Sequence, residues 1–151
     1  MISLKEEHIR EIEAHGERAY PYECGGMLVG HFAADGTKTV VETFPLENSS
    51  QEDQKNRVLI LPKDLLRVER YAREKRMDVV GYYHSHPEDR AVPSQYDLDH
   101  ALPVWSYIIV SVLGEKAADV RSWEMENDRS RFNEEEIILG TSDERQGTRA
   151  A

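Results

Sequence analysis

The sequence predicts a mixed α/β domain, mainly strands, with two substantial helices and one short one. Strand-length apolar runs recur between turn signals, at 24–32, 38–44, 78–84 and 106–113. Two stretches with helical spacing, 4–19 and 62–76, alternate with them. At 151 residues, 39% hydrophobic and 32% charged, the chain suits a single soluble core.

Taken in order, the first helix spans 4–19, with Leu4, Ile9, Ile12 and Ala19 on one stripe. Ser3 reads as its N-cap and Glu6 as the matching capping-box residue, and Pro21 ends it. Strand 24–32 follows, its early glycines pointing to a bend or a close backbone approach. Asp35-Gly36 is a hairpin turn and 38–44 the returning strand. The polar stretch 45–56, with Asn48 and Ser49, reads as a loop, and 57–61 as a short strand. Pro62 opens the second helix at its favoured first-turn place. Strand 78–84 is apolar nearly throughout and therefore central. A short helix at 94–102, a buried strand at 106–113, a half-buried strand at 120–125 and an edge strand at 131–139 complete the domain, 1–139. Residues 140–151 read as a frayed polar tail.

Bulk properties exclude several classes. A net charge of −10 argues against nucleic acid, which requires a basic footprint. No window reaches the roughly 20 apolar residues of a membrane span, and no signal peptide opens the chain. Cys24 is the only cysteine, so neither an internal disulfide nor an all-thiolate metal site is available. The default location is cytoplasmic.

The chemistry concentrates in Gly81-Tyr-Tyr-His84-Ser85-His86-Pro87 and Ser94-Gln-Tyr-Asp97. Residues i and i+2 of a strand share a face, so His84 and His86 can present both imidazoles to one point. Ten residues separate His86 from Asp97, enough to cross a loop and turn a carboxylate back from a short helix. Two imidazoles, a carboxylate and an open fourth position form the ligand set of a hydrolytic zinc site. Singly, strand histidines are common packing residues, and Ser94-x-x-Asp97 also reads as a capping box. Such a site also needs a general base, and Glu23, between Pro21 and Gly25-Gly26, is the candidate. Cys24, His8, His15 and His31 read as packing or surface residues. His100 reads as either a support for Asp97 or a plain helix histidine. Tyr82, Tyr83, Trp105 and Trp123 read as core or half-buried aromatics.

Glu23, His84-Ser85-His86-Pro87, Ser94 and Asp97 together resemble the signature of the JAMM (MPN-plus) metallopeptidases, in their compact prokaryotic form. The resemblance implies a three-layer α/β/α fold around a mixed, curved sheet, similar to cytidine deaminases. It implies one Zn2+ held by His84, His86 and Asp97, with Glu23 as general base and then acid. Ser94 would donate to the oxyanion, while Ser85 would face the other way and pack. The implied substrate is the C-terminal tail of a small ubiquitin-like or sulfur-carrier protein, added beside an exposed strand. Little room follows Asp97 for the second insertion of ubiquitin-specific relatives. A non-catalytic interaction module and a ubiquitin-type deconjugating enzyme are the alternatives. A nucleoside deaminase is excluded, because its Pro-Cys-x-x-Cys cannot be built from one cysteine.

Overall fold

The computed structural model describes residues 1–46 and 61–140. Among the described residues eight strands form one sheet, and three helices interrupt them: β1(Ile2–Lys5), α1(Glu6–Ala19), β2(Gly25–Phe32), β3(Lys38–Leu46), α2(Pro62–Glu74), β4(Asp78–Pro87), α3(Gln95–His100), β5(Ser106–Leu113), β6(Lys116–Met125), β7(Phe132–Glu135) and β8(Ile137–Gly140). The strand order is β7-β6-β5-β4-β2-β3-β1-β8. β4 is central, antiparallel to β2 and parallel to β5.

The two long helices cover opposite faces. Ile12 of α1 is buried with Ile2, Leu28, Val80, Ile108 and Val110. Val68 and Ala72 of α2 are buried with Met27, Val29 and Leu46. Leu28 thus faces one layer while Met27 and Val29 face the other, as strand alternation requires. Each fully buried aliphatic chain contributes about 1.5–3 kcal/mol relative to exposure. Gly26 is needed where it stands, because a Cβ there would overlap the ring of Tyr83. At Gly30, where the β2–β3 register shifts, a Cβ would overlap the carbonyl of Thr39.

Several boundaries differ from the sequence reading. Ser3 caps no helix; it lies in β1, whose Ile2 and Leu4 are buried between β3 and β8. α1 begins at Glu6, and His8 does the work expected of Glu6 by accepting the Lys5 N–H at Nδ1, 3.1 Å. Alternation over only four residues was hidden by the helical pattern that starts beside it. The single strand expected at 131–139 is two. β7 pairs with β6 at one edge of the sheet, and β8 pairs with β1 at the other. Only Glu136 joins them, and its carbonyl accepts the Ile2 N–H at 3.0 Å. The sheet is therefore curved and nearly closed. Across this seam, buried Lys38 of β3 reaches Glu124 of β6 at 3.3 Å and Glu135 of β7 at 3.5 Å. β6 starts at Lys116 and β4 runs on through Pro87, both longer than expected. Of the loop expected at 45–56, Pro45 and Leu46 instead extend β3, and Gly140, expected in the tail, ends β8. The rest of that loop, with Asn48 and Ser49, the short strand expected at 57–61 up to residue 60, and the tail beyond 140 lie outside the described residues.

Candidate metal centre

The site forms at the C-terminal end of β4. Because β2 runs antiparallel to β4 with Gly25 opposite His84, the chain entering β2 lies beside the end of β4. Glu23 is thereby carried to the histidines. The ladder continues one step outward: Ser85 N–H donates to the Cys24 carbonyl at 3.0 Å. Ser85 Oγ accepts the Cys24 N–H at 2.8 Å and lies on the opposite face from the imidazoles, toward Gly16 of α1.

Asp97 arrives from α3. Ser94 is the N-cap: its Oγ accepts the Asp97 N–H at 3.1 Å, and Asp97 Oδ2 accepts the Ser94 N–H at 2.8 Å. This reciprocal cap fixes the carboxylate's direction. The same carboxylate meets both imidazoles, with Oδ1 3.2 Å from His84 Nε2 and Oδ2 3.5 Å from His86 Nε2. The two Nε2 atoms are 3.1 Å apart. A Glu23 oxygen and one nitrogen from each imidazole lie within 4.8 Å of one another, and all three residues are buried. The capping box and the convergence on the histidines are thus two uses of one aspartate.

His86 Nδ1 lies 2.9 Å from the carbonyl of Arg90. A carbonyl only accepts, so Nδ1 carries hydrogen and the neutral ring turns a bare Nε2 toward Asp97. Lone pairs from two imidazoles and a carboxylate then converge, which is stable only around a cation or a proton. Ligand atoms of a tetrahedral zinc with bonds of 2.0–2.1 Å lie about 3.3 Å apart. The separations of 3.1, 3.2 and 3.5 Å bracket that value, so the residues fit zinc. Where a proton rather than a cation fills that point, burial still opposes charge on Asp97, yet the neighbouring His84 and hydrogen bonds donated by the imidazoles hold its carboxyl well below the usual range. Burial likewise opposes charge on His86, and the bonds to Asp97 and the Arg90 carbonyl overcome it and raise its pKa. Burial pushes the Cys24 thiol up to about 11, so it is no thiolate nucleophile at neutral pH.

Residues 5–126 match the prokaryotic homologs of the JAB domain, Prok-JAB. The chain belongs to this family. Over 99 residues it is 33% identical to the protein named Desampylase of Haloferax volcanii, covering 65% of this chain and 68% of that one. A solution structure from Desulfitobacterium hafniense is similar with a TM-score of 0.81 and 30% identity, covering 94% of each chain. One from Salinibacter ruber gives a TM-score of 0.72 and 33% identity, over 93% of this chain and 92% of that one. The crystal structure of a JAB1/MPN domain protein from Archaeoglobus fulgidus, at 20% identity, shares the fold with a TM-score of 0.56, over 91% and 96%.

In this Prok-JAB chain a cavity of about 290 Å³ opens beside His84 and Asp97. Met27, Leu65, Tyr82, Tyr96, Trp105 and Tyr107 supply most of its wall, with Glu23 at the site end. Tyr82 and Trp105, expected as core or half-buried aromatics, are half-buried, and the sequence assigned no site role to any of these six. The available signal was register: Tyr82 precedes His84 by two on one strand face, and Met27 is its partner across β2. Tyr82 stacks on His84 with centroids 5.6 Å apart. His100 lines the wall, donating from Nδ1 to the Tyr96 carbonyl at 2.8 Å and stacking on that ring at 4.1 Å. Trp123 Nε1 donates to the Ala91 carbonyl at 3.0 Å, beside the loop that serves His86.

The remaining histidines lie elsewhere. His8 is buried at the start of α1, His15 bonds the Tyr83 hydroxyl at 2.7 Å, and His31 is exposed. Only residues 101–105 separate α3 from β5. The site strands β2 and β4 are interior, so among the described strands only β7 and β8 have an open side. The expectation that a tail adds beside a strand at the site therefore finds no free edge there among the described residues.

Among the described residues no helix is long and apolar enough to cross a membrane.

Proposed function

We propose that the chain is a zinc-dependent hydrolase of amide bonds at or near the C-terminus of a small ubiquitin-like protein, including the sulfur-carrier type. The observation that carries this reading is the convergence of His84 Nε2, His86 Nε2 and Asp97 within 3.5 Å, with buried Glu23 beside them. The relative named Desampylase, a deconjugating enzyme by its name, supports the substrate class.

His84, His86 and Asp97 would hold Zn2+, one per chain. When bound, zinc acidifies water and polarises a carbonyl. Glu23 takes the proton from the attacking water and returns it to the leaving amine, a role typically worth 10²–10⁴-fold. The Ser94 hydroxyl accepts from the Asp97 N–H and keeps its own hydrogen free to donate to the oxyanion. The short 101–105 connection has little room for an insertion over the cavity, which favours an extended tail as the substrate. We infer that the reaction takes place in the cytoplasm.

The deciding experiment incubates zinc-loaded protein with ubiquitin-like and sulfur-carrier proteins extended at their C-termini, and reads product masses. Cleavage at the carrier terminus, lost in Glu23→Gln, is expected. Stoichiometric zinc with no cleavage of any carrier would leave the interaction-module reading in its place.

A further inference from the structure

Helix α2 is charged in the opposite sense to the rest of the chain. Helix α2 itself, Pro62–Glu74, holds four Lys/Arg against three Asp/Glu, and Lys75 and Arg76 directly after it bring residues 62–76 to an excess of three positive charges in a chain of net charge −10. The helix buries Val68 and Ala72 against the sheet and turns Leu65 into the cavity beside His84 and Asp97. On its other side Lys63, Leu66, Arg67, Arg70 and Arg73 are exposed. They stand three and four residues apart and so share one face, which also takes in exposed Glu74, four residues from Arg70. Arg67 pairs with Asp64 at 3.8 Å, at the surface where such pairs are weak. Among the described residues no ion pair neutralises Lys63, Arg70 or Arg73. In the middle of this basic face Leu66 is 60% exposed. Across the cavity Val104 is 64% exposed, next to Trp105 in the wall.

We infer that the exposed face of α2 is a docking surface for an acidic, folded substrate protein. Its carboxylates lie along Lys63, Arg67, Arg70 and Arg73, an apolar side chain meets Leu66, and its tail passes Leu65 and Trp105 to reach the metal centre. The inference rests on the hydrolase reading and extends it from the scissile bond to the body of the substrate. Charge selects the partner. An acidic protein is repelled by most of this acidic surface and attracted at this one face, so the field both steers and orients the encounter. An apolar centre with a charged rim is the ordinary anatomy of a protein interface. A polyanion such as nucleic acid is a poorer fit: Asp64, Glu69 and Glu74 interrupt the cations, and the surrounding field is negative.

The test compares two probes, a C-terminally extended acidic ubiquitin-like carrier and its tail as a free peptide, in wild type, Arg67→Glu/Arg70→Glu and Arg67→Lys/Arg70→Lys. The ratio of carrier to peptide kcat/KM should fall about tenfold or more on charge reversal and stay within about twofold for the lysine pair. Wild-type kcat/KM on the carrier should also fall as salt rises from about 0.05 M to about 0.5 M. An unchanged ratio overturns the docking surface, as does reversal-sensitive binding of single-stranded RNA or anionic vesicles with carrier binding unaffected. If neither probe is cleaved, the hydrolase reading fails. Calorimetric binding of the carrier to wild type and to the reversed pair then decides the surface by itself: loss on reversal supports it, and equal or absent binding rejects it.

Discussion

The main-chain carbonyl of Arg90 accepts the Nδ1 hydrogen of His86 at 2.9 Å, four residues back along the chain. That bond selects the tautomer and aims Nε2 at Asp97. The carbonyl is itself held by its neighbours. Glu88 Oε1 accepts from the Tyr20 hydroxyl and the Gly114 N–H, each at 2.6 Å. Ser111 Oγ donates to the Asp89 carbonyl, and Trp123 Nε1 to that of Ala91.

Trp123→Phe removes the last of these ties and keeps an aromatic ring in place. Supports of metal-ligating histidines typically cost 10–100-fold in affinity when lost. Because this tie acts one residue from Arg90, the expected loss is at the low end, about tenfold, in zinc affinity read by chelator competition. Unchanged affinity would show that the loop holds Arg90 without Trp123.

Glu23→Gln and Asp97→Asn should separate two functions of the site. The first should keep zinc at one per chain while lowering turnover by about 10²–10⁴-fold. The second should lose zinc, because an amide is a poor substitute for a carboxylate between two imidazoles. Metal analysis alongside single-turnover cleavage reads both; loss of zinc from the Glu23 variant would make Glu23 a ligand.

The legible part of this site was the part written in side chains at short range. The i, i+2 histidines, the capping serine and the aspartate three residues on can all be seen in the sequence. Glu23 was legible as a candidate from its setting between Pro21 and Gly25-Gly26 and from the resemblance, but its proximity depends on β2 running antiparallel to β4, a long-range fact. The Arg90 carbonyl could not be read at all, because any residue supplies one. β1 escaped because four alternating residues run directly into a helical pattern. β7 and β8 were merged because nothing in 131–139 says that the chain changes edges at Glu136.

Stability of the metal-free and zinc-bound forms should diverge with pH. The pKa of His86 is raised in the folded state, so its stabilising pairing with Asp97 is complete below the unfolded value of about 6.5 and is lost as pH climbs through the folded value. Asp97 is depressed, so its contribution is present above about 3.9 and fades only in stronger acid. Neutral imidazole, by contrast, is the form that binds metal. Thermal melts from about pH 6 to about pH 8.5 should show Tm falling with chelator and the stabilisation by zinc growing. Parallel curves would exclude this assignment.

Gly26→Ala tests the packing under the site. The new methyl overlaps the Tyr83 ring, which is 1% exposed and has little room to retreat. A loss of about 1–3 kcal/mol, the usual range for overpacking, is expected in urea unfolding.

Lys38→Met tests the seam. It leaves Glu135, 3% exposed at its side chain, facing Glu124 with the Met1 ammonium, 3.5 Å from Glu135 and 3.7 Å from Glu124, as their remaining shared cation. Breaking a buried pair from one side costs about 3–5 kcal/mol, and the remaining ammonium brings the expected loss to the low end of that range. Adding Glu135→Leu should recover much of that loss; a double variant no better than the single one would mean the lysine acts through its packing alone.

The one-residue joint at Glu136 turns the sheet into a hoop. β7 and β8 are farthest apart in strand order yet consecutive in the chain, so neither can peel away without pulling on the other. Fraying, which usually begins independently at the two margins of a sheet, becomes here a single event that opens both margins together. β4, which carries both site histidines, lies opposite that opening and is the last to feel it.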